Sequence, residues 1–359
     1  MPRAIRAGVV CLGLLACNRE VPREAAAGPT STAASSASKE NRVYDVGSVN
    51  DLLSVQSAYL QQSAKGEGGR FEVRFTGTIP STGWSLAPEP GKDVPAIDLV
   101  LTGKGAVVPV PGKLVARSVR IEGLVLTGPA ALSSAVEVRQ SFAMVDSAVI
   151  DGRGAMPASQ APYLALRAHG VRGKNTAATI TVERSWFVRN WESSTSAQGA
   201  ALLGLEQDAH DGGYFSEARF RDCAFIGNAF GAELRLNHVL DVAIERTLFY
   251  KTWPSGVQIA ADMAEKVRVA DSILVAEDLE HIARIGKDVP PIAMTGTKIF
   301  ARSYKPATAI PTALKIDRSA LADRSGIDAK AAPVDAAAKM TLAMPAADLR
   351  AQLMQALRP

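Results

Sequence analysis

The chain has 359 residues, 47% of them hydrophobic and 21% charged, with a formal net charge of +4. There is enough apolar material for a sizeable core, and too weak a net field to mark a nucleic-acid binder. Cysteines only at 11, 17 and 223 exclude a disulfide framework and a cysteine-rich zinc site.

Residues 1–16 read as an export signal. Arg3 and Arg6 make a short basic start, and Ala7 to Ala16 is small and apolar, too short to span a bilayer as a helix. Leu14-Leu15-Ala16-Cys17 resembles a bacterial lipobox, which implies cleavage before Cys17 and its modification by lipid. Asn18 in place of Asp then favours an outer-membrane or surface location. Loss of Arg3 and Arg6 takes the charge balance to +2. Residues 17–42, rich in Ala, Ser, Thr, Pro and Glu, form a flexible tether.

The globular part is expected from residue 43. Leu52, Val55 and Tyr59 recur at helical spacing across 47–62, with Ser48 or Asn50 able to cap the start. This helix is read as a cap over the first strands of a repeat array. Phe71-x-Val73-x-Phe75 and Ile97-x-Leu99-x-Leu101 alternate as strands, and Ser81 to Pro95, with Trp84, makes a surface loop.

A repeat then dominates. Val119-x-Ile121-x-x-Leu124-x-Leu126 recurs from Phe142, Ile180, Ala218, Val242 and Val267. Within each copy the first two apolar positions share parity, as do the last two, but parity breaks between the pairs. A strand that turns a corner at the two intervening residues explains this. Those corners are Glu122-Gly123, Val145-Asp146, Glu183-Arg184, Arg221-Asp222, Glu245-Arg246 and Ala270-Asp271. A third strand follows, as in Gly256-Val257-Gln258-Ile259. Leu126, Val149, Phe187, Phe225, Phe249 and Leu274 would stack as one ladder, with a small polar row, Ser147 to Ser272, beside it and Cys223 among its core members.

Three short strands per repeat of about two dozen residues resemble the pectate-lyase-like superfamily over residues 70–285. The resemblance implies an all-β, right-handed parallel β-helix (a solenoid), here over 43–290, with an N-terminal capping helix and a C-terminal helical tail. It also implies a substrate groove on the third-strand face, and it is weak for activity because that architecture hosts enzymes and non-enzymes alike. The family's calcium-binding aspartate cluster, its Arg-Pro motif and the polygalacturonase Gly-His-Gly have no counterpart in this chain.

Insertions at 151–162, 167–178, 190–200 and 206–217 would wall such a groove. Parity places Glu137, Tyr163, Arg167, Glu206, Glu233, Arg235, Asn237 and Gln258 on its floor, with His169, His210 and His238 after successive third strands. Glu206, Glu233, Arg235 and Arg167 are the candidate catalytic residues, since β-elimination of an acidic glycan needs a base and a cation to neutralise the uronate. Glu137, Tyr163, Asn237, Gln258 and the three histidines are candidate binding residues. Acidic residues there could hold Ca²⁺, although no metal ligands are assigned.

Beyond residue 290 the repeat is expected to give way to an irregular segment, closed by an amphipathic helix at 345–357. The whole is read as a cell-envelope lipoprotein carrying a non-catalytic module that binds polysaccharide or an envelope partner. A lyase, hydrolase or epimerase acting on an acidic glycan is the alternative, and a purely structural surface protein the second.

Overall fold

The computed structural model describes residues 41–324, except 81, 129–133, 151–152, 155–161, 171–175, 189, 193–200, 208–212, 252–255 and 303. The expected signal segment with Cys17, the expected tether as far as residue 40 and the helix expected at 345–357 lie outside the described residues. Strands hold 60% of the described residues, and there is one α-helix. The fold class expected from the repeat is corrected. The main sheet forms a closed six-stranded parallel barrel with many outer strands, not a right-handed β-helix solenoid with a C-terminal helical tail. Period and parity fix which residues pair; they do not fix how a sheet closes or its hand.

The repeats pair in parallel and in register. Phe142 lies beside Val119 on one side and Ile180 on the other, Ala218 beside Ile180 and Val242, and Val267 beside Val242. At each expected corner one residue adopts the left-handed conformation: Gly123, Asp146, Arg184, Asp222, Arg246 and Asp271, with φ between 46° and 68°. A Cβ at Gly123 would strike the Gly103 carbonyl, so only glycine fits there. The other five alternate in charge, and four of them pair. Arg184 grips Asp146 through two bonds of 2.6 and 2.9 Å, and Arg246 grips Asp222 through two of 3.0 Å.

Inside the corner, the small polar row satisfies backbone groups that the bend frees. Ser147 Oγ donates to the Val145 carbonyl and accepts from the Leu124 N–H, and Ser272 Oγ does the same for Ala270 and Thr247. Cys223 is buried, and its thiol donates to the Val182 carbonyl. The next row is the core ladder, in which the Phe187, Phe225 and Phe249 rings stack with centroids 4.7 Å apart. That is the spacing of neighbouring strands, so in-register backbones stack the rings of themselves.

The helix runs Val49–Ala64 and is capped by Ser48, whose Oγ accepts from the Asp51 N–H and donates to the Asp51 carboxylate. It buries Leu52, Val55 and Tyr59, and the Tyr59 hydroxyl donates to the Val115 carbonyl. A strand missed in the sequence, Arg42–Val46, precedes it and pairs with Gly69–Phe75. Trp84 anchors its own loop, fully buried with Nε1 donating to the Pro109 carbonyl at 2.7 Å.

At the other end, the expected irregular segment is partly strand. Ile292–Thr295, Lys298–Ala301, Leu314–Lys315 and Leu321–Asp323 continue the parallel pairing. The motif is present there too, as Ile292-x-Met294-x-x-Thr297-x-Ile299 and Leu314-x-Ile316-x-x-Ser319-x-Leu321. The Pro- and Ala-rich stretch between these copies hides the second. No described helix is long and apolar enough to cross a membrane.

Candidate functional site

Alternation along the third strands sorts their side chains as parity requires. Val136, Val138, Leu164, Leu166, Leu203, Leu205, Leu234 and Leu236 are buried in the main core. The residues between them divide into three groups, and the loops expected to wall a groove lie largely outside the described residues. A short parallel pair, Arg153–Gly154 with Trp191–Glu192, joins two of those insertions.

The first group is a row of paired charges. Glu137, Arg167 and Glu206 sit beside one another in register. Arg167 lies between the carboxylates, with Nε 3.3 Å from Glu206 Oε2 and Nη1 3.8 Å from Glu137 Oε1. Lys113 Nζ is 2.9 Å from Glu137 Oε1, and His169 Nε2 is 3.7 Å from Glu137 Oε2. Glu137 is buried beneath these groups, whereas Arg167 and Glu206 are half-buried. Two cations and two carboxylates leave the Lys113–Glu137–Arg167–Glu206 row formally neutral, with His169 at its side. Asn237, half-buried two residues beyond Arg235, has its Oδ1 buried without a hydrogen-bond partner.

Arg235 belongs to a second group. Its Nε lies 2.9 Å from Asp262 Oδ2, and Arg284 Nη2 lies 3.3 Å from Asp262 Oδ1. Asp262 was not singled out in the sequence because it is the extra residue of the bulge where pairing slips between Leu236 and Asn237. At that bulge His238 takes φ 55°, and burial lowers the pKa of its imidazole.

The third group is interior. Glu233 and Gln258, expected on the groove floor, face away from the core but are fully buried. They are neighbours across the pair Ala232–Val257 and Leu234–Ile259. Tyr163 is buried as well, its hydroxyl donating to the Gly128 carbonyl and its ring tilted against Phe230. Alternation tells one face of a strand from the other, not whether the second face is covered.

Gln258 Oε1 is buried without a hydrogen-bond partner, and Asn228 stands within hydrogen-bonding reach of the Glu233 carboxyl. Burial pushes the Glu233 carboxyl up to about 8, although Lys251 and Asn228 stand close enough to favour its charged form. Lys251, 1% exposed, is pushed down by the same burial, and its Nζ donates to the Phe230 carbonyl at 3.0 Å. Asn228 and Asn190 complete the group. Asn228 Oδ1 accepts from the Asn190 backbone N–H and from Nδ2, each at 3.0 Å, and Asn228 Nδ2 donates to the Phe187 carbonyl at 2.9 Å. Lys251, Asn190 and Asn228 were not singled out in the sequence; an Asn three residues after Phe187 and again after Phe225 was the available signal.

The four candidate catalytic residues are therefore not one site. Arg167 and Glu206 meet, Arg235 is held by Asp262, and Glu233 is enclosed. His210 lies outside the described residues. Among the described residues no three His, Cys, Asp or Glu side chains come together as a metal-binding group. Compared with family models, with curated proteins and with solved structures, the chain matches none.

Proposed function

We propose that the chain is an exported, lipid-anchored cell-envelope protein whose third-strand face is a non-catalytic surface for binding a polysaccharide. The observation that carries this reading is Arg167 held between Glu137 and Glu206 on a half-buried, formally neutral row. Sugar hydroxyls both donate and accept, so they can join such a row without an ion pair being broken. A strongly charged ligand would have to displace one of its partners. The anchor rests on the basic start, the apolar run and Leu14-Leu15-Ala16-Cys17.

Action on an acidic glycan is favoured by one feature, two carboxylates flanking an arginine with His169 alongside. Against it, the cations nearest the row are already paired, and Glu233 is enclosed. One experiment separates the readings. The full chain is titrated with neutral and acidic polysaccharides, with and without Ca²⁺, while unsaturated-uronate absorbance and reducing ends are followed. Binding without product supports the module. Product that disappears in Glu206→Ala replaces it with the lyase reading, and no binding to any glycan sinks both. The anchor is checked by fractionating cells: Cys17→Ser should move the protein out of the membrane fraction.

A further inference from the structure

The enclosed Asn228–Glu233–Lys251 group plays no part in the surface row, and its chemistry points elsewhere. Lys251 reaches back from its own repeat to the preceding one, where Nζ meets the Phe230 carbonyl two residues after Asn228. Glu233 is three residues further on, fully buried, and stands beside both Asn228 and Lys251. One enclosed spot thus gathers an amine, a carboxamide and a carboxyl group. Burial favours the neutral form of both the amine and the acid. A neutral, desolvated lysine amine is a nucleophile. The carboxamide is prepared for attack, because its oxygen already accepts two N–H groups from Asn190.

We propose that Lys251 and Asn228 become joined by an intramolecular amide bond, with Glu233 as the proton carrier. The Nζ lone pair attacks Asn228 Cγ, and the carbonyl electrons move onto Oδ1, where the two Asn190 donors hold the charge. Glu233 passes its proton to Asn228 Nδ2 and takes one back from Nζ. The Cγ–Nδ2 bond breaks, ammonia leaves, and the carbonyl re-forms as the Nζ–Cγ amide. The step is a transamidation that needs no oxidant, reductant or cofactor. The linkage would tie consecutive repeats together across residues 228–251 and slow their separation.

The test is a peptide map of the purified full chain. The expected result is a branched peptide containing residues 228 and 251, lighter than its two parts by one ammonia, and absent from Lys251→Arg. Linear peptides carrying intact Asn228 and unmodified Lys251 would overturn the proposal, as would a deamidated Asn228 with a free lysine. Glu233→Gln should yield mostly linear peptides. An undiminished branched peptide in that variant, with the circular dichroism of the parent retained, would remove Glu233 from the mechanism. The map of the unaltered protein decides the bond itself even where a variant fails to fold.

Discussion

Among the described residues, Glu233 carries a clear pH signature in the neutral range. A fully buried carboxyl is tolerated best when protonated. Its value rises from 4.5 to about 8, chiefly through burial. Because the folded value is the higher one, its contribution to stability is full below about pH 4.5 and is lost as pH rises through about 8. Where its amine is free, Lys251, lowered by burial, has the opposite sign: its contribution is full above 10.5 and is lost as pH falls through its folded value. Denaturant midpoints measured from pH 5 to 8 should therefore fall less steeply in Glu233→Gln than in the parent. Equal slopes would show that Glu233 does not titrate in this window. At the surface row the expectation is milder. Arg167 is 36% exposed, so Arg167→Ala should cost about 1 kcal/mol of stability, in the range of partly exposed pairs.

The corner and the core ladder are the repeated elements, and each makes its own prediction. Arg246 adopts φ 46° and binds Asp222. Arg246→Gly removes the ion pair but relieves the left-handed conformation, so it should fall within about 1 kcal/mol of the parent. Arg246→Val loses both the pair and the tolerance for positive φ, and should cost about 2 kcal/mol or more in equilibrium unfolding. Phe225 stacks between Phe187 and Phe249 with no exposed surface. Phe225→Ala should cost about 3–5 kcal/mol, and a smaller loss would mean that the neighbouring rings collapse into the gap. Both elements were legible in the sequence. The parity break located each corner to a pair of residues, of which the second is the left-handed one, and the ladder followed from the next apolar position. The alternating charges at Asp146, Arg184, Asp222, Arg246 and Asp271 were visible as letters, but only the shared left-handed geometry shows why they alternate.

Across the whole molecule, the sequence carried the repeat and its register further than it carried closure or burial. In-register parallel pairing follows from the period, whereas the closure of the sheet depends on the angles between strands, which no residue pattern specifies. The helix over 49–64 was legible because Ser48 and the Leu52, Val55, Tyr59 stripe agree. The strands after residue 290 were missed although their motif is intact, since composition was given more weight than spacing. At the candidate site, Glu137, Arg167 and Glu206 lie side by side in paired strands, as alternation suggested, while Glu233, Gln258 and Tyr163 were set on a surface that is in fact covered. A period-two pattern cannot report a second layer of packing.

The central functional claim is that the Glu137–Arg167–Glu206 row contacts a polysaccharide. It is tested most directly by titrating the full chain and its Arg167→Ala variant with whichever glycan binds, at matched folding by circular dichroism. The account predicts affinity reduced roughly tenfold or more, equivalent to about 1.4 kcal/mol, with no product formed in either case. Unchanged affinity in a folded Arg167→Ala variant would contradict it and move the binding surface off this face.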